Sequence, residues 1–407
     1  AAAGDTVIFS SLFNSPQTIT LTLGQINIDK NLTITGTGQD LVTISGNHEN
    51  RVFFVTGAIT ATIYGISIIN GRAVGSITPD SGGGGIYNNR STLTVINCNL
   101  NGNSAVAIGP ESDSYGGGIL NDGSNFGGQS GTATLTVISS TLDGNSAVFD
   151  ATAVSDSWGG GIANLGAGGN ASLTIVNSTI SGNSAGAGGG IINFNPPGIG
   201  RLTVLNSIVS ENSAVEGGGI ANYGHFGGLT WLTVTASALS GNMARRGGGI
   251  FNNCARLTIA NSTVGGNSAS DGLGGGIYNY AANGCNAMTE IVNATFSENL
   301  APGGAGVHNR LFNSGNPTLE IGNTILNAGV SGANILNSGS VTSFGHNLSS
   351  DNGGGVLTGP GDQLNTNPLL GPLANNGGGT LTHELLPGSR AIDAGNNSLA
   401  VDPQTQS

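Results

Sequence analysis

Aliphatic residues alternate with threonine in a short segment that returns along the chain: Leu93-Thr94-Val95, Leu135-Thr136-Val137, Leu173-Thr174-Ile175, Leu202-Thr203-Val204, Leu232-Thr233-Val234 and Leu257-Thr258-Ile259. Alternation at period two predicts a strand with its aliphatics on one face and its threonines on the other. In the clearest unit, Asn206 interrupts this strand, a second short strand around Ile208 ends at Asn212, and a third around Ile220 comes after three glycines. The block GGGI-x-N that carries the third strand recurs at Gly83, Gly116, Gly159, Gly188, Gly217, Gly247 and Gly274, with a degraded copy at Gly304. From Asn164 onward its closing asparagines are 29, 29, 30, 27 and 30 residues apart. A fixed period carrying three short strands, three corners and no helical pattern predicts an all-β, right-handed parallel β-helix, with three strands per coil and a period of about 30 residues. The glycines suit corners that need positive φ or close approach of successive coils.

Stacked coils lie about 4.8 Å apart, so a residue type repeated at one rung becomes a column. The leucines above should form one aliphatic column and Val95, Val137, Ile175, Val204, Val234 and Ile259 a second beside it. Asn103, Asn145, Asn183, Asn212, Asn242, Asn267 and Asn299 should form an asparagine ladder at a corner. Three regions are expected: opening coils over 1–80, a regular body over 81–330, and a Gly- and Pro-rich C-terminal part over 331–407.

Composition narrows the function. Lys30 is the only lysine, charged residues are 8% of the chain and the net charge is -12, which leaves nucleic-acid binding without an electrostatic basis. No run approaches the length of a membrane span. The opening Ala1-Ala2-Ala3-Gly4-Asp5 carries no signal-peptide features, so any export signal lies outside it. Cys254 and Cys285 fall in the same variable corner of successive coils, within reach of a disulfide, while Cys98 replaces a serine of the repeat and reads as a buried small hydrophobe.

Gly345-His346-Asn347-Leu348, Asn367-Pro368-Leu369-Leu370-Gly371-Pro372-Leu373, Asn375-Asn376-Gly377-Gly378, Thr380-Leu381-Thr382-His383 and Leu386-Pro387-Gly388-Ser389-Arg390-Ala391-Ile392-Asp393-Ala394-Gly395 together resemble the C-terminal part of bacterial choice-of-anchor Q surface proteins. Gly4-Asp5-Thr6-Val7-Ile8-Phe9 and Leu41-Val42-Thr43-Ile44-Ser45-Gly46 are similar to that family too, and the GGGI repeats resemble those of polymorphic outer-membrane proteins and related adhesins. The resemblance implies a secreted β-helix displayed at the cell surface, with no defined reaction. Proteins of that kind continue past the A-I-D-A-G block into further strands and an anchor, whereas this chain ends at Gln406-Ser407.

Candidate chemistry is sparse. Glu111-Ser112-Asp113-Ser114-Tyr115 and Val154-Ser155-Asp156-Ser157-Trp158 echo each other before successive GGGI blocks. Stacking brings Tyr115 to Trp158 and Asp113 to Asp156. Rings beside carboxylates suit a glycan, and two carboxylates could serve a glycosidase; the competing reading is that the aromatics shield the loop base and the aspartates solvate it. Gly36-Thr37-Gly38-Gln39-Asp40-Leu41-Val42 fits a calcium repeat once, where tandem copies are needed, and the histidines show no metal spacing, so no cofactor is expected. Arg245-Arg246 beside Asp271 reads as a surface ion pair. The outward positions Thr94/Ile96 to Thr233/Thr235 make a semi-apolar stripe, suited to lateral docking or a covering loop rather than to ice. The sequence therefore points to an extracellular structural or adhesive surface protein that stacks head to tail on itself through its strand edges and is not an enzyme; the alternative is a glycan-binding or carbohydrate-active protein, such as a neutral-glycan hydrolase, on the same scaffold.

Overall fold

A computed structural model describes residues 1–76, 81–109, 112–124, 131–149, 156–224 and 227–400. Glu111, Val154, Ser155, His225 and Gln406-Ser407 lie outside them. Among the described residues the strands assemble into three parallel sheets of 12, 11 and 12 strands, with one sheet for each strand of the coil. The chain is a parallel β-helix. It divides into two compact units: the first runs to Leu202 and takes in Asn212–Ala214, and the second holds most of the chain from Thr203 onward.

In the first unit, Leu93, Leu135 and Leu173 pair in register, as do Val95, Val137 and Ile175, and all six are at most 1% exposed. The second strands stack Leu100 on Leu142 on Ile180, and the third strands stack Ile86, Ile119, Ile162 and Ile191. These columns converge to fill the interior. Asn97 and Asn177 turn the corner after the first strand with φ of 50°, a conformation that asparagine tolerates better than most residues. At the glycine corner, Gly116 has φ 62°, and a Cβ on Gly117 would sit 2.3 Å from the carbonyl oxygen of Ser146. Both uses of glycine are therefore realised, one by conformation and one by close approach.

The corner asparagines are buried, and their amides are saturated. Asn103 Nδ2 donates to Asn145 Oδ1 at 2.9 Å and to the Ile68 carbonyl at 3.0 Å, while Asn145 Oδ1 also accepts from the Asn103 backbone N at 3.0 Å. Asn145, Asn183 and Asn212 repeat the pattern. Unpaired, each buried group would cost about 1–3 kcal/mol, so this repetition turns a liability into a constraint on register. A second ladder runs through the third strands, where Asn88, Asn121, Asn164 and Asn193 are linked at 2.7–2.8 Å. Cys98 occupies the serine position of the first corner, where its backbone N donates to Ser140 Oγ at 3.0 Å, and burial pushes its thiol up to about 11.

The second unit repeats these devices. Leu232 pairs with Leu257 and Val234 with Ile259; Asn242, Asn267 and Asn299 form the corner ladder, and Asn222, Asn252, Asn279, Asn309 and Asn337 the third-strand ladder. Cys254 and Cys285 are joined as a disulfide, with Cα atoms 5.5 Å apart. The strand pattern persists to Leu348–Ser349. Beyond it the chain turns back on the unit: Gln363 pairs with the last coil through Asn347 O and Ser349 N, at 2.7 and 2.8 Å, and a short antiparallel hairpin joins Leu370–Ala374 to Thr382–Leu385. Asn293 Nδ2 donates to Leu399 O at 2.9 Å, Asn396 N to Asn323 Oδ1 at 2.8 Å, and Thr380 Oγ1 to Ala236 O at 3.3 Å. This returning segment meets the corner that follows the first strands, beside the buried Thr235 and Ala260, while Thr233 and Thr258 are half-buried as Thr94 and Thr136 are.

Candidate functional site

The four residues singled out by the echoing loops do meet. Ser114–Tyr115 pairs with Ser157–Trp158 as a short parallel bridge that sets Tyr115 opposite Trp158, and the Asp156 backbone N donates to Asp113 Oδ1 at 3.0 Å. The Tyr115 hydroxyl donates to Asp113 Oδ2 at 2.9 Å. Tyr115 is 8% exposed, and burial together with the neighbouring Asp113 holds its hydroxyl protonated far above the usual range. Trp158 stacks on Phe194, with ring centroids 5.0 Å apart and planes 6° apart. These contacts engage the Tyr115 hydroxyl, the Asp113 carboxylate and the Trp158 ring internally, in the manner of the shielding arrangement, while Asp156 is exposed.

A different cluster stays open. In the second unit, the third strands Ile250–Asn253, Ile277–Ala282 and Gly304–Phe312 point alternate residues away from the core, on either side of the inward asparagine. Register stacks Phe251 on Tyr278 on His308, and Asn253 on Tyr280 on Arg310. The rings form a continuous set: Phe251 to Tyr278 at 5.3 Å, Tyr278 to Tyr280 at 5.4 Å and Tyr280 to Phe312 at 6.2 Å. Aromatics are 5% of the chain, so this concentration is a local feature. They border a cleft of about 250 Å3, whose rim carries Glu216, Arg246 and Arg310.

The rim is electrostatically mixed. Arg246 Nη1 contacts Glu216 Oε1 at 3.0 Å and Arg245 Nη2 contacts Asp271 Oδ2 at 3.1 Å, so the ion pair expected at Arg245-Arg246 forms and extends to a second acid. Glu216 also accepts from the Tyr223 hydroxyl. Burial pushes Tyr278 up to about 12, opposed by the nearby Arg310, and burial with Arg310 pushes His308 down to about 4, so its imidazole is neutral. The aromatic residues flanking the GGGI-x-N asparagine are visible in the sequence. What the local pattern lacks is the register that aligns them with Glu216 and Arg246 from other corners.

Among the described residues no three His, Cys, Asp or Glu side chains gather as a metal site, and no helix is long and apolar enough to cross a membrane. His383 Nδ1 donates to Gly371 O at 2.7 Å within the C-terminal hairpin. No protein-family model, no curated protein and no solved structure matches this chain.

Proposed function

We propose that this protein is an extracellular structural or adhesive surface protein, a β-helix that presents long side-chain ladders on a rigid backbone. The observation that carries the reading is the bonding of the buried corner asparagines, each tied to the next copy through its side-chain amide: a fold held by such repeated rungs offers few loose segments to a protease and needs few surface charges. The near absence of lysine, the low charge density and the disulfide fit an oxidising, protease-rich exterior. The segment similar to choice-of-anchor Q proteins supports the same location. In it, the Gly345-His346-Asn347-Leu348 and Ala391-Ile392-Asp393-Ala394 portions pack together, with His346 Nδ1 donating to Ala394 O at 2.9 Å.

Head-to-tail stacking is the less favoured form of this reading, because Gln363 already partners one strand edge of the last coil, at Leu348–Ser349. The test is immunolabelling and protease shaving of intact producing cells. Labelling before permeabilisation, with loss of signal only after prolonged protease treatment, supports display; signal that appears only after lysis rejects it. Electron microscopy and sedimentation of the purified protein then separate filaments from single particles.

A further inference from the structure

We propose that the aromatic cleft of the second unit is a binding site for an acidic sugar, a glycan unit bearing a carboxylate. It does not depend on where the protein is displayed. Three chemical demands converge on the ligand. The first is a negative charge. Arg310 lines the cleft and has no carboxylate within ion-pair distance among the described residues, although the chain carries 22 acidic residues against 10 basic ones. Its hydrogen bond to the Tyr278 hydroxyl leaves the positive charge unneutralised, so in a molecule so rich in acids the guanidinium can still pair with an incoming anion, and its planar fork matches a carboxylate.

The second demand is a hydroxyl donor. Asn253 is 5% exposed and lines the cleft, yet its side-chain oxygen has no hydrogen-bond partner. A buried acceptor of this kind is costly unless something donates to it, and a sugar hydroxyl does so naturally. Glu216 on the rim offers further acceptor capacity. The third is an apolar face. Phe312 is 44% exposed and Tyr280 half-buried beside the cleft, and aromatic rings favour the C–H face of a pyranose. A phosphate or a simple carboxylate meets the first demand only, and a neutral sugar meets the second and third only. One molecule with a carboxylate, several hydroxyls and a C–H face meets all three, and the cleft of about 250 Å3 accommodates a single ring with its neighbours running into solvent.

The experiment measures binding of glucuronic acid, galacturonic acid and N-acetylneuraminic acid, free and as short oligomers, to the full chain by saturation-transfer NMR and calorimetry. Glucose, acetate, inorganic phosphate and a peptide ending in an aromatic residue are the controls. At least one acidic sugar should bind, its neutral counterpart at least tenfold more weakly, with Arg310→Gln and Tyr280→Ala each lowering affinity tenfold or more at unchanged melting temperature. The proposal is overturned if none of the acidic sugars binds, if glucose, phosphate or the peptide binds as well, or if both variants retain affinity. Should either variant fail to fold, crystals of the unaltered protein soaked in the best acidic sugar decide: density against Arg310 and Tyr280 upholds the site, and density elsewhere or none rejects it.

Discussion

At the residue scale, orientation decides what each position tolerates. Ile175 is fully buried between coils, so Ile175→Asp leaves a carboxylate without solvation and should cost more than about 4 kcal/mol, whereas Thr203→Ser on the outward face should stay within about 0.5 kcal/mol. Thermal melts of the two variants check this, and equal melting temperatures would contradict the inward and outward assignment. His308 adds a pH dependence. Its folded pKa is lowered from 6.5 to about 4 by burial and by Arg310, so the unfolded chain takes up a proton first as pH falls. Stability should therefore decline as pH drops from about 6.5 towards 4, and His308→Gln should flatten that part of the melting-temperature profile. Asp351 acts lower still. Burial raises its carboxyl, but hydrogen bonds from Asn334 and Gly353 backbone N, Ser349 and the Asn334 side chain bring it below the usual value, so its contribution is lost only as pH falls through that lowered value.

At the element scale, one coil is three short strands whose worth comes from the neighbours they stack on. The disulfide fastens two such coils across 31 residues, and removing it with Cys254→Ser and Cys285→Ser should lower stability by about 2–4 kcal/mol; an unchanged denaturant midpoint would show that the stacking alone holds this corner. Much of the coil is legible in the sequence, because period-two alternation and a recurring Asn are local signals that survive in every copy. The second ladder has a signal as well: in Ile-x-Asn the asparagine shares the inward face of the isoleucine, as Ile86 and Asn88 do. The burial of Tyr115 is not legible, since it depends on what packs above the residue rather than on its neighbours in sequence. The same holds for the cleft, which needs Glu216, Arg246 and Arg310, each from a different coil. The return of the C-terminal segment to Ala236 and Asn293 rests on contacts more than 100 residues apart, which no repeat announces.

At the scale of the whole molecule, both units use the same solution: glycines where backbones crowd, asparagines where a polar group must be buried, and aliphatics in columns between them. Few residues are charged, so the fold depends on the repetition of these contacts rather than on ion pairs, and the ion pairs that form among the described residues are surface features. A rigid frame of this kind can carry a site as simple as a row of rings and a guanidinium with no carboxylate beside it, because the register fixes their spacing. Native-state hydrogen exchange resolved to single amides tests that frame most directly. The backbone N–H groups of Asn103, Asn145, Asn183, Asn242 and Asn267, each held by the side-chain oxygen of an asparagine in the neighbouring coil, should exchange among the slowest in the protein and respond together to denaturant. Fast, independent exchange at these five positions, in a protein that is otherwise folded, would contradict the account.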